Sequence, residues 1–241
     1  MVNTGNKIIT EQDMNPNSST YGDTRETIVY DSVMCPPGID FKAKYSTSQA
    51  SNKYIYCNGE TKMISSELPD NVTSIVFGNC VAETDEELFY YNNTLRSVTF
   101  SSSVETIGSG SFNYCSSLTS ATFAEGLTLI KNHAFAGCQN LSGDIVLPDS
   151  LTTLRQYAFS SCSSVTSFTL GTGLTHLDDY VFYNCTGLTS VTMTATTPPT
   201  ISGAHIFDNT NNCQILVPAQ SLDAYKQRFQ KYASRIQAIP S

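Results

Sequence analysis

The chain has 241 residues, of which only 14% are charged, with 13 Lys and Arg against 21 Asp and Glu and a formal net charge of −8. Its 30 Ser and 29 Thr make about a quarter of the chain, so surface polarity rests on neutral hydroxyls rather than ions. This argues against nucleic acids and anionic membranes as partners, because both are bound by clustered Lys and Arg, and no run approaches the ~20 apolar residues of a membrane-spanning helix. Met1 to Thr10 carries no apolar core of signal-peptide type, which suits either an intracellular protein or a trimmed mature form.

In chain order, residues 1–60 show no internal period. Asn15 to Gly22 is polar and rich in Asn, Ser and Pro, and the strand-forming runs Thr27–Tyr30 and Lys53–Cys57 flank the turn signal Cys35-Pro36-Pro37-Gly38. Residues 1–71 are expected to form an irregular β cap over an open first coil. A small separate domain is the alternative, although so short a segment makes a marginal core.

From Val72 to Asn212 the chain repeats. LRSVTFSSSVETIGSGSFNYCSS begins at Leu95, LTSATFAEGLTLIKNHAFAGCQN at Leu118, LSGDIVLPDSLTTLRQYAFSSCSS at Leu141 and VTSFTLGTGLTHLDDYVFYNCTG at Val165, starts that lie 23, 23 and 24 residues apart. A looser copy opens at Leu188, and Val72, Ile75, Phe77, Val81, Leu88 and Phe89 fall in register one period before Leu95, which makes about six units over residues 72–212. Each unit opens on L-x-x-V-x-F, whose last part alternates as a strand with one buried face. Leu127 and Ile130 then cross the core, and Ala134, Phe135 and Cys138 return along the far side. One coil cannot bury both its flat sides, so neighbours must stack and pair their strands in parallel as one continuous sheet. The expected fold is a mostly β solenoid of α/β type, right-handed, with an irregular β cap before it and a helical cap after it. Residues 213–241 supply that second cap: a strand, then a helix with Ser221 as N-cap and Leu222, Tyr225, Phe229 and Tyr232 along one face. Lys226, Arg228, Lys231 and Arg235 are expected on its solvated surface.

These units resemble the BspA-like leucine-rich repeats of bacterial and protozoan surface proteins. The resemblance rests on Ile107, Gly108, Phe112 and Cys115, on the A-F-x-x-C runs Ala134–Cys138 and Ala158–Cys162, on the L-x-x-V-x-F strands, and on the Val217-Pro218 to Tyr225-Lys226 tail. It implies a secreted or cell-surface protein with an adhesive or recognition role, without catalysis or cofactor, whose partner is a protein or glycan on a host or neighbouring cell. A structural spacer within a larger surface protein is the alternative, and a hydrolase a remote one.

Candidate chemistry is sparse. Cys115, Cys138, Cys162 and Cys185 recur with the repeat, and the register sets Asn92 and Thr210 at the same position. That spacing is foreign to a zinc site and is expected to be a buried ladder of reduced thiols. Cys35, Cys57, Cys80 and Cys213 lie off it, and Cys35–Cys57 could bridge in an oxidising compartment. His133 shares a column with Gly110, Tyr157, Tyr180 and His205, a variation that suits repeat surface better than catalysis. Asp178 and Asp179 beside His176 lack the further oxygens a cation needs. No catalytic or metal residues are therefore expected. Outward strand positions form Ser/Thr columns, good β formers first of all and the leading candidate binding face: Arg96, Thr99, Ser120, Thr122, Ser167, Thr169, Ser190 and Thr192. Tyr114, Tyr157, Tyr180 and Tyr183, with Tyr90 and Tyr91, map to the turn-and-return side as a candidate aromatic edge.

Overall fold

The computed structural model describes residues 72–78 and 81–240 in full. Before them it gives the backbone of β1 (Asn6–Gln12), β2 (Thr24–Tyr30), β3 (Phe41–Lys42), β4 (Lys53–Cys57) and β5 (Lys62–Met63). β1 and β2 form an antiparallel pair. β4 runs parallel to the first repeat strand, Lys53 opposite Ser74, with β3 antiparallel on its other side.

The L-x-x-V-x-F runs become β6 (Ser74–Phe77), β8 (Ser97–Phe100), β10 (Ser120–Thr122), β12 (Gly143–Val146), β14 (Val165–Leu170), β16 (Ser190–Met193) and β18 (Gln214–Val217). A second strand of two residues follows in each coil: β7 (Glu83–Thr84), β9 (Thr106–Ile107), β11 (Leu129–Ile130), β13 (Thr153–Leu154), β15 (His176–Leu177) and β17 (Thr200–Ile201). With β5 these short strands make an unbroken seven-stranded parallel ladder, one rung per coil. Two residues alternate too briefly to be read from hydrophobicity, so this second ladder is a structural finding.

The long strands do not form the single continuous sheet expected of them. They make two sheets, one ending at β10 and one starting at β12. The unit from Leu141 has one residue more than its neighbours between its leading Leu and the next inward residue, Ile145 against Ala121 and Phe168. Ser142 N–H still reaches the Thr119 carbonyl at 3.2 Å. The extra residue then shifts the register between Gly143 and Asp144. Ile145 and Leu147 nonetheless return to the core.

The core is built of two phenylalanine columns. Phe89, Phe112, Phe135, Phe159, Phe182 and Phe207 stack in sequence at centroid separations from 5.0 to 6.4 Å. Phe77, Phe100 and Phe123 stack on the strand side at 5.1 and 5.4 Å and meet the first column edge to face, Phe100 against Phe112 at 5.7 Å and 83°. Past Phe123 the strand-side column continues as Leu147 and Leu170, and Phe168 takes up the space, 5.0 Å from Phe159.

The C-terminal cap differs in detail from expectation. The helix α1 spans only Leu222–Arg228, because Phe229 leaves helical geometry at φ −105° and ψ 52°, and a 3-10 segment, Gln230–Arg235, continues. Tyr225, Phe229 and Tyr232 still face the core. The Ser221 hydroxyl does not cap the helix; it donates to the Thr196 carbonyl at 2.6 Å and ties the cap to the repeats. Lys231 and Arg235 are likewise not merely solvated. Lys231 pairs with Asp208 at 2.7 Å, and Arg235 donates to Thr210 Oγ1 at 3.2 Å while lying 4.6 Å over the Tyr232 ring. A last strand, β19 (Ile236–Ala238), adds in parallel to β18.

Candidate functional site

The return path of each coil is neither helix nor strand, yet alternate residues bond from coil to coil. Gly110, Phe112 and Tyr114 donate their N–H groups to Asn132, Ala134 and Ala136 at 2.9, 2.8 and 2.7 Å, and His133, Phe135 and Gly137 donate to Gln156, Ala158 and Ser160 at 3.0, 2.8 and 2.8 Å. The middle member of each trio is the core phenylalanine. The outer two are left-handed. One column holds Glu87, Gly110, His133, Tyr157 and Tyr180 at φ from 54° to 63°, and the other Tyr91, Tyr114, Gly137, Ser161, Asn184 and Asn209 at φ from 56° to 71°. Gly and Asn enter this region readily, whereas a bulky residue there is an outlier strained by about 1–2 kcal/mol. Four tyrosines occupy it nonetheless.

Their rings stack. His133, Tyr157, Tyr180 and His205 form a continuous pile at 4.8, 4.8 and 4.9 Å, with Tyr183 edge-on to Tyr180 at 5.5 Å. Tyr91 lies flat on Tyr114 at 4.8 Å and meets the edge of Tyr90 at 4.5 Å. The predicted edge aromatics therefore fall into two groups, Tyr114 in one and Tyr157, Tyr180 and Tyr183 in the other. His133 and His205 complete the second, and their recurrence in one column was the signal that could have found them. Gly137 permits the first group: a Cβ there would stand 2.5 Å from the Tyr114 ring. Tyr90, Tyr91 and Tyr114 are 44%, 60% and 44% exposed, the large exposed apolar side chains of the described residues together with Val146. Burial pushes the Tyr157 hydroxyl above its usual value, with Tyr180 and the Asp179 carboxylate adding to the shift.

On the strand face, Arg96, Ser120 and Thr122 are exposed and Thr99, Ser167, Thr169, Ser190 and Thr192 are half-buried. Much of its hydroxyl content is engaged within the repeat. Thr119, Thr166 and Thr189 donate to the carbonyls of Arg96, Gly143 and Thr166, one coil back, at 2.9, 3.1 and 2.8 Å. Thr128, Thr152, Thr175 and Thr200 do the same along the second ladder at 3.0 to 3.2 Å. Ser167 donates to Asp144 at 2.6 Å. Among the described residues the hydroxyls of Thr99, Ser120, Thr122, Thr169, Ser190 and Thr192 on this face make no hydrogen bond.

The cysteine ladder is free and wholly buried. Cys115, Cys138, Cys162 and Cys185 each donate Sγ–H to the phenylalanine carbonyl of the preceding coil, Phe89, Phe112, Phe135 and Phe159, at 3.0 to 3.2 Å. At the first position Asn92 serves the same turn differently, its Oδ1 accepting from the N–H groups of Thr94 and Leu95 at 2.9 and 2.7 Å. Cys213 is also free and buried, and accepts from Thr210 Oγ1 at 3.3 Å. Cys35, Cys80 and the Cys57 side chain lie outside the described residues. Asp178 and Asp179 do not converge on a cation: Asp178 faces Arg155 at 3.4 Å, and Asp179 accepts from the His205 N–H at 2.6 Å and meets its Nδ1 at 3.0 Å. Among the described residues no three His, Cys, Asp or Glu side chains gather around one point.

Short parallel strands on one side, an apolar residue at each inward step and a hydrogen-bonding Asn or Cys at the return make this a leucine-rich-repeat solenoid. The chain belongs to the BspA-type leucine-rich-repeat family, whose signature matches in six copies over residues 82–214, more than half of the chain. It matches no curated protein. Among solved structures it resembles the leucine-rich repeat protein TpLRR of T. pallidum, with 23% identity, a TM-score of 0.51 and 84% of this chain aligned to 97% of that one. A leucine-rich repeat protein from Bacteroides ovatus aligns at 22% identity and TM-score 0.54 over 72% of this chain and 47% of its own. A leucine-rich cell surface protein from Faecalibacterium prausnitzii aligns at 21% and 0.53 over 74% and 55%. The chain thus spans about half the length of the last two, and these likenesses bear on fold.

Proposed function

We propose that the protein is a non-enzymatic recognition or adhesion module of a secreted or surface-attached protein, and that it binds through the aromatic return edge. The observation that carries this reading is the exposed group Tyr90, Tyr91 and Tyr114, two of whose members accept left-handed strain where Gly or Asn would be relaxed. Left-handed strain at exposed positions, offset only by ring stacking between the same side chains, points to function rather than folding, and tyrosine is enriched in protein interfaces. Family membership and the Faecalibacterium cell surface protein support a surface location.

The test is binding of the purified chain to an array of immobilised extracellular-matrix proteins and glycans. The expected result is saturable binding that is lost in a Tyr91→Gly/Tyr114→Gly variant of unchanged melting temperature. The spacer reading draws on the strand face, where hydroxyls are spent on the neighbouring coil. Absence of saturable binding to any array member would favour it and contradict the proposal.

A further inference from the structure

The inward position of the second ladder is fully buried in four successive coils, at Ile107, Ile130, Leu154 and Leu177, because the next coil covers each of them. Ile201 holds the same position in the last coil and is only half-buried. No coil follows it, and α1 closes the end incompletely. A cavity of about 500 Å³ remains, with Pro198 and Ile201 on the repeat side and Ala224, Gln227 and Arg228 on the helix side. Those three helix residues are exposed, so the cavity opens to solvent. β17 is also the edge of its ladder. Thr200 donates its N–H to the Thr175 carbonyl on the β15 side at 2.8 Å, so the N–H and C=O of Ile201, the next residue, point the other way. The cap takes up carbonyls on either side, Ala195 and Thr196 through the Tyr225 and Ser221 hydroxyls and Ala204 through Tyr232. Among the described residues nothing bonds the outer edge of Ile201. Arg228 makes no ion pair or hydrogen bond among them either, whereas Lys131, Arg155 and Lys231 each pair with a carboxylate.

We propose that this cavity binds the C-terminal end of a partner polypeptide in extended form, its last residue aliphatic. The main chain adds to the free edge of β17, as peptides add to exposed sheet edges. The last side chain lies against Ile201, Pro198 and Ala224, in the place the next Ile or Leu of the column would take, and is stabilised by leaving water. The terminal carboxylate accepts from the Arg228 guanidinium, whose planar fork matches two carboxylate oxygens and keeps its charge throughout the physiological range. An amidated end or an internal segment offers the first two contacts and lacks the third. The cavity lies at the last coil, whereas Tyr91 and Tyr114 belong to the first two described coils, so this site goes beyond the return edge and does not depend on it.

The test titrates the full chain into N-terminally fluorescein-labelled pentapeptides, Thr-Ser-Thr-Val-Leu as free acid, the same sequence amidated, and Thr-Ser-Thr-Val-Gly as free acid, followed by anisotropy. The Leu-ended acid should bind saturably below ~1 mM and at least fivefold more tightly than either of the others. Arg228→Gln should weaken it at least fivefold, and so should Ala224→Leu, which fills the cavity from an exposed helix position. Lys226→Gln, removing a charge of the same helix that does not line the cavity, should leave affinity within twofold, as should Tyr91→Gly/Tyr114→Gly. Thermal melts of all variants should match the parent. Absence of saturable binding by the Leu-ended acid, or equal binding of acid and amide, would overturn the proposal. Equal effects of Arg228→Gln and Lys226→Gln would reduce it to general attraction between charges and overturn it too. Loss of binding in the tyrosine variant would move the peptide to the return edge, which leaves that reading standing and removes this one.

Discussion

The ring of Tyr157 lies on that of Tyr180 at 4.8 Å and 9° between planes, although both residues are held at a φ of 59°. Stacking and strain therefore oppose each other at the same positions. Tyr157→Gly relieves about 1–2 kcal/mol of left-handed strain and gives up two ring contacts of about 0.5–1.5 kcal/mol each. The unfolding free energy from a urea titration should change by less than about 2 kcal/mol, within the spread those two ranges allow. A loss above about 3 kcal/mol, of the size expected for a core side chain, would make the pile a structural necessity and remove the reason to seek a partner for it.

The thiol ladder sets an alkaline limit. Burial pushes Cys115 and Cys185 up to about 12 from a usual 9.0, and lifts Cys138 and Cys162 well above it. Below pH 9 these thiols hold their protons whether the chain is folded or not. Between about 9 and 12 the unfolded chain releases them and the folded one does not, so stability must fall as pH rises through that window. Denaturation followed from pH 7 to 11 should show a plateau and then a decline, with the ladder thiols closed to a thiol reagent in the native protein. Denatured without reductant, the protein should show at least the four ladder thiols; a count near zero would contradict the buried reduced ladder.

The phenylalanine column should be the costliest place to cut. Phe135 sits between Phe112 and Phe159 at 5.0 and 5.1 Å, with Phe123 edge-on at 5.6 Å. Phe135→Ala should destabilise by about 3–5 kcal/mol, against about 0.5–1 kcal/mol for Thr119→Val, which removes one exposed hydroxyl bond to the Arg96 carbonyl. Comparable losses from the two in the same denaturant titration would contradict a core-dominated solenoid.

The repeat register, the inward columns and the cysteine ladder were legible because they recur: one residue type at one phase, several times over, outweighs local ambiguity. The rest depended on what the next coil does. Thr119 reads as a surface β former, and only the adjacent coil shows its hydroxyl spent on the Arg96 carbonyl. Tyr157 and His133 read as variable surface residues because left-handed backbone leaves no mark when Tyr or His fills it. The sheet break came from a single inserted residue, visible in the 24-residue unit but without a sign of whether the strand or the loop would absorb it. Lys231 and Arg235 seemed solvated since the residues they bind, Asp208 and Thr210, precede them by more than twenty positions.

The C-terminal cap should loosen in acid. Burial pushes the Asp208 carboxyl up, but the hydrogen bonds from Lys231 and Tyr232 outweigh it and hold the group below its usual 3.8. Its contribution is therefore present above the unfolded value and is lost as pH falls through the folded one. Amide exchange in residues 222–238 should quicken below pH 4 relative to the repeats, after correction for intrinsic rates, and Asp208→Asn should abolish that difference. Exchange that loosens equally throughout would show that Asp208 does not hold the cap.

Whether the protein works through its aromatic edge is decided by one comparison of two surface variants on the same array. Tyr91→Gly/Tyr114→Gly alters the return edge, and Thr99→Lys/Thr122→Lys/Thr169→Lys alters the unbonded strand face, both with the core untouched. The edge reading predicts that the tyrosine variant loses saturable binding while the threonine variant keeps it. Loss in the threonine variant with full binding by the tyrosine variant would contradict it and move the binding surface to the strand face.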